Sequence, residues 1–240
     1  MKKIWIITLF PDYFNPLIQL GIVGAALRGE RGEGPSIELI QLRDYSGREY
    51  KGVDDSPFGG GPGMVIRADV LKRALIEGVV QKGNYGEDFK NKLTVVFPSP
   101  RGKKWNNLEA KNFSQLDTDL VFICGRYEGI DERFIEKYVD AEFSLGDFVL
   151  SGGEIPTMAF IDSLLRFKKG VLGNESGAGE ESFEHGLLEF PQYTRPADFE
   201  GLLVPDILLS GHHKKIDEYR KSESLRITKK FRPDLIKEEK

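Results

Sequence analysis

A single cysteine, Cys124, stands in 240 residues. One thiol per chain excludes a disulfide framework and a cysteine-based metal centre, and it suits a reducing compartment. Histidine is almost as scarce. His185, His212 and His213 do not supply a histidine cage, so no metal site is expected. No apolar run approaches membrane-spanning length. The opening stretch MKKIWIITLFPDYF superficially resembles a signal peptide. Its apolar part is too short, lacks a small-residue cleavage site and is broken by Pro11 and Asp12, so it reads as a buried first strand of a cytoplasmic protein. A strong charge excess is also missing. With 34 basic and 38 acidic residues the net charge is -4, which gives no global signal for nucleic acid and leaves only a local basic patch to find.

The common nucleotide and hydrolase signatures are absent too. Gly63 is followed by Met64 and Val65, where a phosphate-binding Walker loop needs Lys-Ser/Thr. Leu9 leads into Phe10-Pro11-Asp12 rather than a dinucleotide G-x-G-x-x-G, and no G-x-S-x-G elbow occurs.

What is present is an alternation of apolar runs and helical patterns. Ile4–Leu9, Ile37–Leu42, Leu93–Phe97, Asp119–Cys124 and Ala141–Leu145 read as strands. Tyr13–Leu27, Ala68–Val80, Leu108–Leu116 and Ile155–Phe167 read as helices. That order predicts an α/β fold, a parallel sheet with helices on both faces. Arg43–Gly63 reads as a long loop, a length that in compact domains is usually functional or disordered. Composition changes near Gly170, where a segment rich in glycine, serine and glutamate separates residues 1–169 from a smaller C-terminal domain, 191–240, with 170–190 as a flexible linker.

In open α/β sheets ligands gather at the carboxyl ends of strands. Three glycine-rich turns fall there: PSPRG after Phe97, GRYEG after Cys124 and LGDFVLSGGEIP after Phe143. Together they predict one shared pocket. FGGGPG, residues 58–63, lies instead on the long loop and follows Asp54 and Asp55. Paired acids beside a flexible segment suit a loop that closes over a ligand, or equally a solvated turn. In the tail, Lys214, Lys215, Arg220, Lys221, Arg226, Lys229, Lys230 and Arg232 outnumber Asp217, Glu218 and Glu223. A basic helix of this kind either neutralises backbone phosphates or is simply a solvated face.

Six motifs, LFPDYF, VDDSPFGGGPGM, CGRYEGIDER, GDFVLSGGE, ESFEHGLLEFPQYTRP and VPDILLSGHH, occur in the order in which the bacterial TrmD-type tRNA (guanine-N1)-methyltransferase family of the SPOUT superfamily carries its own. The chain resembles that family nearly end to end. The resemblance implies a parallel α/β domain with a C-terminal deep trefoil knot, plus a small mainly helical C-terminal domain that binds tRNA. It also implies an obligate homodimer with active sites at the subunit interface, S-adenosyl-L-methionine as methyl donor, and N1-methylguanosine made at the tRNA position 3′ of the anticodon (m1G37), in support of reading-frame maintenance. Neither DNA nor a membrane has a part in it.

Carried over position by position, the resemblance assigns cofactor binding to Pro98, Ser99, Pro100, Gly125, Tyr127, Glu128, Gly129, Ser144, Leu145, Gly146, Phe148, Leu150, Gly152, Gly153 and Pro156. It assigns substrate binding to Asp54, Asp55, Gly59, Gly60, Gly61, His212, Lys214, Lys215, Arg220 and Arg226, the three glycines forming a backbone wall for the target purine. Guanine N1 carries a proton and is a poor nucleophile until a base removes it. Charge then builds on O6, where a cation stabilises it. The family's base is an aspartate before a Ser-Phe pair, assisted by an arginine in the preceding helix. Here those positions hold Glu181, before Ser182-Phe183, and Arg166 in DSLLRF. Glu181 and Glu189 both stand where the family carries aspartate, and the longer side chain leaves Glu180, Glu184 and Asp55 as alternative bases. Arg126, Asp131 and Arg133 are read as either site residues or dimer ion pairs.

Overall fold

The computed structural model describes residues 1–173 and 181–236. The chain forms two compact units, Met1–Gly173 and Asn174–Lys240.

The first unit is built on five strands: β1 (Lys3–Thr8), β2 (Ser36–Gln41), β5 (Leu93–Lys104), β6 (Asp119–Ile123) and β7 (Ala141–Ser144), in the order β2-β1-β6-β5-β7. Every pairing is parallel. β1 shows why the central strands carry apolar runs. Ile4 and Ile6 enter one core, with Phe122, Phe160 and Leu164, while Trp5 and Ile7 enter the other, with Leu71, Leu75 and Val121. A strand covered on both faces has no polar side to alternate with. The first core is completed by α4 (Asn107–Ser114) and α6 (Glu154–Leu165). The second is completed by α3 (Ala68–Arg73) and by α5 (Glu132–Tyr138), a helix that the sequence reading did not propose. Its start is set by Asp131, whose carboxylate accepts the backbone N–H of Arg133.

Three elements differ from their expected form. The helix expected over 13–27 is a 3₁₀ turn at Pro11–Phe14 followed by α1 (Asn15–Gln19) and α2 (Gly21–Leu27). Leu20 is extended and Gly21 has φ +68, and this left-handed residue interrupts the run. The helix expected over 68–80 winds more widely from Ala74 to Gln81, which keeps Ala74, Leu75, Gly78, Val79 and Val80 all buried. The long loop Arg43–Gly63 contains β3 (Asp54–Asp55), paired antiparallel with β4 (Val65–Ile66), so FGGGPG is the arch of a small hairpin.

In the second unit, β8 (Asp198–Phe199) and β9 (Leu202–Leu203) make a short hairpin. α7 (Asp206–Leu209) leads into α8 (His213–Phe231), the basic helix. Residues 181–189 close into a turn on α8. Phe183 N–H donates to the Leu187 carbonyl (2.7 Å) and Glu189 N–H to Ser182 Oγ (2.9 Å), while Leu188 N–H donates to Thr228 Oγ1 (2.8 Å). Among the described residues no helix is long and apolar enough to cross a membrane.

Candidate functional site

The carboxyl ends of β5, β6 and β7 surround a cleft of about 250 Å³. Every residue of the expected cofactor set lines it. The local geometry explains how three separate segments converge there.

The first segment departs from the turn expected at PSPRG. β5 continues to Lys104, but it leaves its register with β7 at Pro98 and rejoins it at Lys103, both of which face Phe143. Residues 99–102 therefore bulge out of the ladder toward the cleft. Gly102 permits the return, since a Cβ there would stand 2.5 Å from the Glu142 carbonyl carbon. The second segment, Gly125–Gly129, follows β6. Tyr127 adopts φ +59 and is half exposed, and Gly129 N–H closes a turn on the Arg126 carbonyl (3.0 Å). The third runs from Ser144 to the first turn of α6. Gly153 N–H donates to the Gly125 carbonyl (2.9 Å), and a Cβ on Gly153 would meet Cys124 Cα at 2.9 Å. The second and third segments thus touch backbone to backbone, which only glycine allows at this distance.

Beneath them lies an ion pair. Glu154 is fully buried, and its Oε2 is 2.9 Å from Arg126 Nη2. Its Oε1 accepts the Thr8 hydroxyl at 2.8 Å. The Arg126 guanidinium also packs 4.6 Å from the Phe10 ring centroid and donates to the Ser151 carbonyl at 3.2 Å. Burial works against its charge, yet the neighbouring Tyr13 hydroxyl and Glu154 carboxylate hold its pKa above the ordinary arginine value. Gly152 covers the pair: a Cβ there would strike Arg126 Nε at 2.3 Å. Arg126 is therefore occupied within its own chain. Asp131 and Arg133 likewise pair with each other at 2.7 Å. None of the three needs a partner chain for its charge.

The FGGGPG arch meets this cleft at its far end. Glu128 N–H donates to the Met64 carbonyl and Ile66 N–H to the Gly129 carbonyl, both at 3.0 Å. A Cβ on Gly63 (φ +84) would overlap the Glu128 carboxylate at 2.3 Å. Gly59, Gly60 and Gly61 also have positive φ, but nothing lies within 4 Å of where their side chains would be. Phe58, just before them, is 98% exposed. Of the two acids ahead of the arch, Asp55 is engaged. Arg48 holds a hydrogen-bonded pair with it at 3.0 Å and keeps its carboxyl below the usual carboxylate range.

Arg166 ends α6 in the first unit, and Glu181 opens the 181–189 turn in the second. Glu180 lies outside the described residues. On α8, His212, Lys214 and Lys215 are exposed, whereas Arg226 is clamped by Glu223 (Nη2–Oε2 2.6 Å). Among the described residues no group of three His, Cys, Asp or Glu side chains converges as a metal site would require.

A family model for the tRNA (guanine-1)-methyltransferase TrmD matches residues 1–238. The chain belongs to the TrmD family. It is 45% identical over 98% of its length to a tRNA (guanine-N(1)-)-methyltransferase of Lactobacillus johnsonii, covering 90% of that protein. The corresponding values for the proteins of the same name from Clostridium beijerinckii and Clostridioides difficile are 47% over 98%, covering 92%, and 46% over 97%, covering 96%. Within the TrmD frame, sequence reasoning missed Arg126 and Glu154 as a linked pair. No sequence signal links them, since the two motifs, GRYEG and SGGE, lie far apart in the chain.

Proposed function

We propose that the protein methylates N1 of guanine in tRNA, at the position 3′ of the anticodon, with S-adenosyl-L-methionine as donor. The full-length TrmD match carries this reading. The cleft suits such a donor. Its walls combine apolar faces from Phe97, Leu145, Leu150 and Pro156 for a purine, glycine backbone for close approach, and the Glu128 carboxylate for an ammonium group. At about 250 Å³ it is slightly smaller than most ligand pockets, which favours a bent ligand covered from outside the cleft. When bound, the donor supplies an electrophilic methyl group on a sulfonium sulfur.

The protein's own groups do the rest. Glu181 takes the N1 proton as the nitrogen attacks, a role that contributes roughly 10²–10⁴-fold. Arg166 offers a cation to the charge growing on O6. The competing base Asp55 is disfavoured, because Arg48 stabilises its ionised form and so weakens it as a proton acceptor. Gly59–Gly61 provide a main-chain wall for the guanine, while Lys214 and Lys215 meet backbone phosphates. In this reading the first unit carries the family's trefoil knot. Two chains pair so that the cleft of one works with Glu181 and the C-terminal unit of the other.

The test is methyl transfer to a tRNA bearing guanine 3′ of the anticodon. Glu181→Gln is expected to lower single-turnover rates by about a hundredfold or more while donor affinity stays unchanged. An unaltered rate would move the base to another carboxylate. No transfer by the parent protein to such a tRNA would end the reading altogether.

A further inference from the structure

The second unit contains a cavity of its own, apart from the donor cleft. It holds about 320 Å³ and lies between the segment Phe190–Arg195 and one face of α8, where Ile216, Tyr219 and Arg220 follow the i, i+3, i+4 spacing. Its lining is unusual for a surface depression. Phe190, Tyr193 and Tyr219 bring three aromatic rings to it. Two arginines stand with them. The Arg220 guanidinium is 4.8 Å from the Phe190 ring centroid, and its Nε is shielded from solvent without a hydrogen-bond partner. Its nearest acid, Asp217, is 4.0 Å away. Arg195 has no ion-pair partner among the described residues. Other arginines of this unit are neutralised at close range, Arg226 by Glu223 and Arg232 by Asp234. Arg195 and Arg220 are thus the least compensated of the described arginines in this unit.

We propose that this cavity receives an unstacked nucleobase of the tRNA substrate, distinct from the reacting guanine, with the adjoining phosphate held by Arg195 and Arg220. The inference rests on the tRNA reading above. Flat rings at a mouth rimmed by guanidinium groups complement a base and its phosphate. Stacking a base on an aromatic side chain strengthens binding without regard to sequence. The volume, at the low end for ligand pockets, admits one nucleotide and excludes a helix. His212 sits one turn before Ile216, which takes its backbone N–H to the His212 carbonyl at 3.0 Å. The exposed basic start of α8 therefore lies next to the cavity and continues the anionic track.

Both tryptophans, Trp5 and Trp105, belong to the first unit. Tyr193→Trp therefore adds a reporter at the cavity mouth, read against the parent protein. Full-length dimer is titrated with tRNA. The added emission is expected to be quenched, with affinity within about threefold of the parent, because an aromatic ring is retained. Tyr193→Leu keeps apolar volume but loses the stacking face, and should bind tRNA roughly tenfold or more weakly with donor affinity unchanged. Arg195→Ala should reduce the slope of log affinity against log salt by about one. The proposal is overturned if the leucine variant binds tRNA like the parent, or if no quenching accompanies binding. A leucine variant that loses dimer mass rather than tRNA affinity overturns it too, and gives the cavity to a second copy of the chain. Methylation by the parent protein is the control: if that fails, the function itself is wrong, whereas methylation with an indifferent cavity rejects the cavity alone.

Discussion

Glu154 keeps a carboxylate with none of its surface in water, and Arg126 with Thr8 is what makes that tolerable. Removing one member of such a pair leaves the other buried and uncompensated, which typically costs about 3–5 kcal/mol. Glu154→Gln should therefore lower the denaturant midpoint substantially and slacken the floor of the cleft. A midpoint equal to the parent's would show that Arg126 finds water instead. Cys124 lies beside this pair, and burial pushes its thiol pKa well up. Thiolate is the reactive form, so alkylating reagents should leave Cys124 unmodified until the protein unfolds. Rapid labelling of native protein would contradict that. The three glycine-rich turns were legible from sequence as neighbours, and their segments line one cleft. The charges were not, because Arg126 meets Glu154 only once β6 and α6 are folded side by side.

Elements were legible wherever burial alone decided them. The central strands came through as apolar runs, because a doubly covered strand has no polar side, and the edge strand β2 came through by its alternation. Helix α5 did not, since a seven-residue helix with only Phe134 and Ile135 buried carries little periodicity. What fixes it is the cap at Asp131. Asp131→Ala should cost about 1 kcal/mol of stability, and Asp131→Asn much less because asparagine caps equally well. Equal losses from both substitutions would point to the Arg133 ion pair instead. Hydrogen bonds from Arg133 lower the Asp131 carboxyl pKa in the folded state. Its contribution is therefore present above the unfolded aspartate value near 4 and fades as pH falls through the lower folded value. The arch before β4 separates two kinds of glycine. Gly63→Ala should push on Glu128 and weaken donor binding, as isothermal titration would register. Gly60→Val, with open space around it, should impair tRNA methylation more than donor binding. Parallel losses in both variants would reduce the arch to a structural turn.

At the scale of the whole molecule, the proposed sharing of each active site between two chains has a numerical signature. Glu181→Gln and a cleft variant such as Gly153→Val, each inactive alone, are mixed under conditions that exchange subunits. Half the dimers are then mixed, and each of these has one site free of both changes, so about a quarter of parental activity should return. If each site lay within one chain, nothing would return. The composition change near Gly170 lies close to the boundary of the two compact units, but the closure of residues 181–189 on α8 was not legible. That closure depends on the Ser182, Ser224 and Thr228 hydroxyls and on backbone groups, which leave no apolar pattern to read.

The strand order has a consequence for synthesis on the ribosome. β1 takes its central place between β2 and β6, yet β6 begins at Asp119 while β1 ends at Thr8. Translation at roughly 5–20 residues per second puts on the order of ten seconds between them. For that interval the emerging chain holds an apolar strand with one edge unclaimed, and β5 has nothing to join it to β1. A nascent chain whose β6 has not emerged should accordingly recruit more chaperone than one from which the whole first unit, through α6, has emerged.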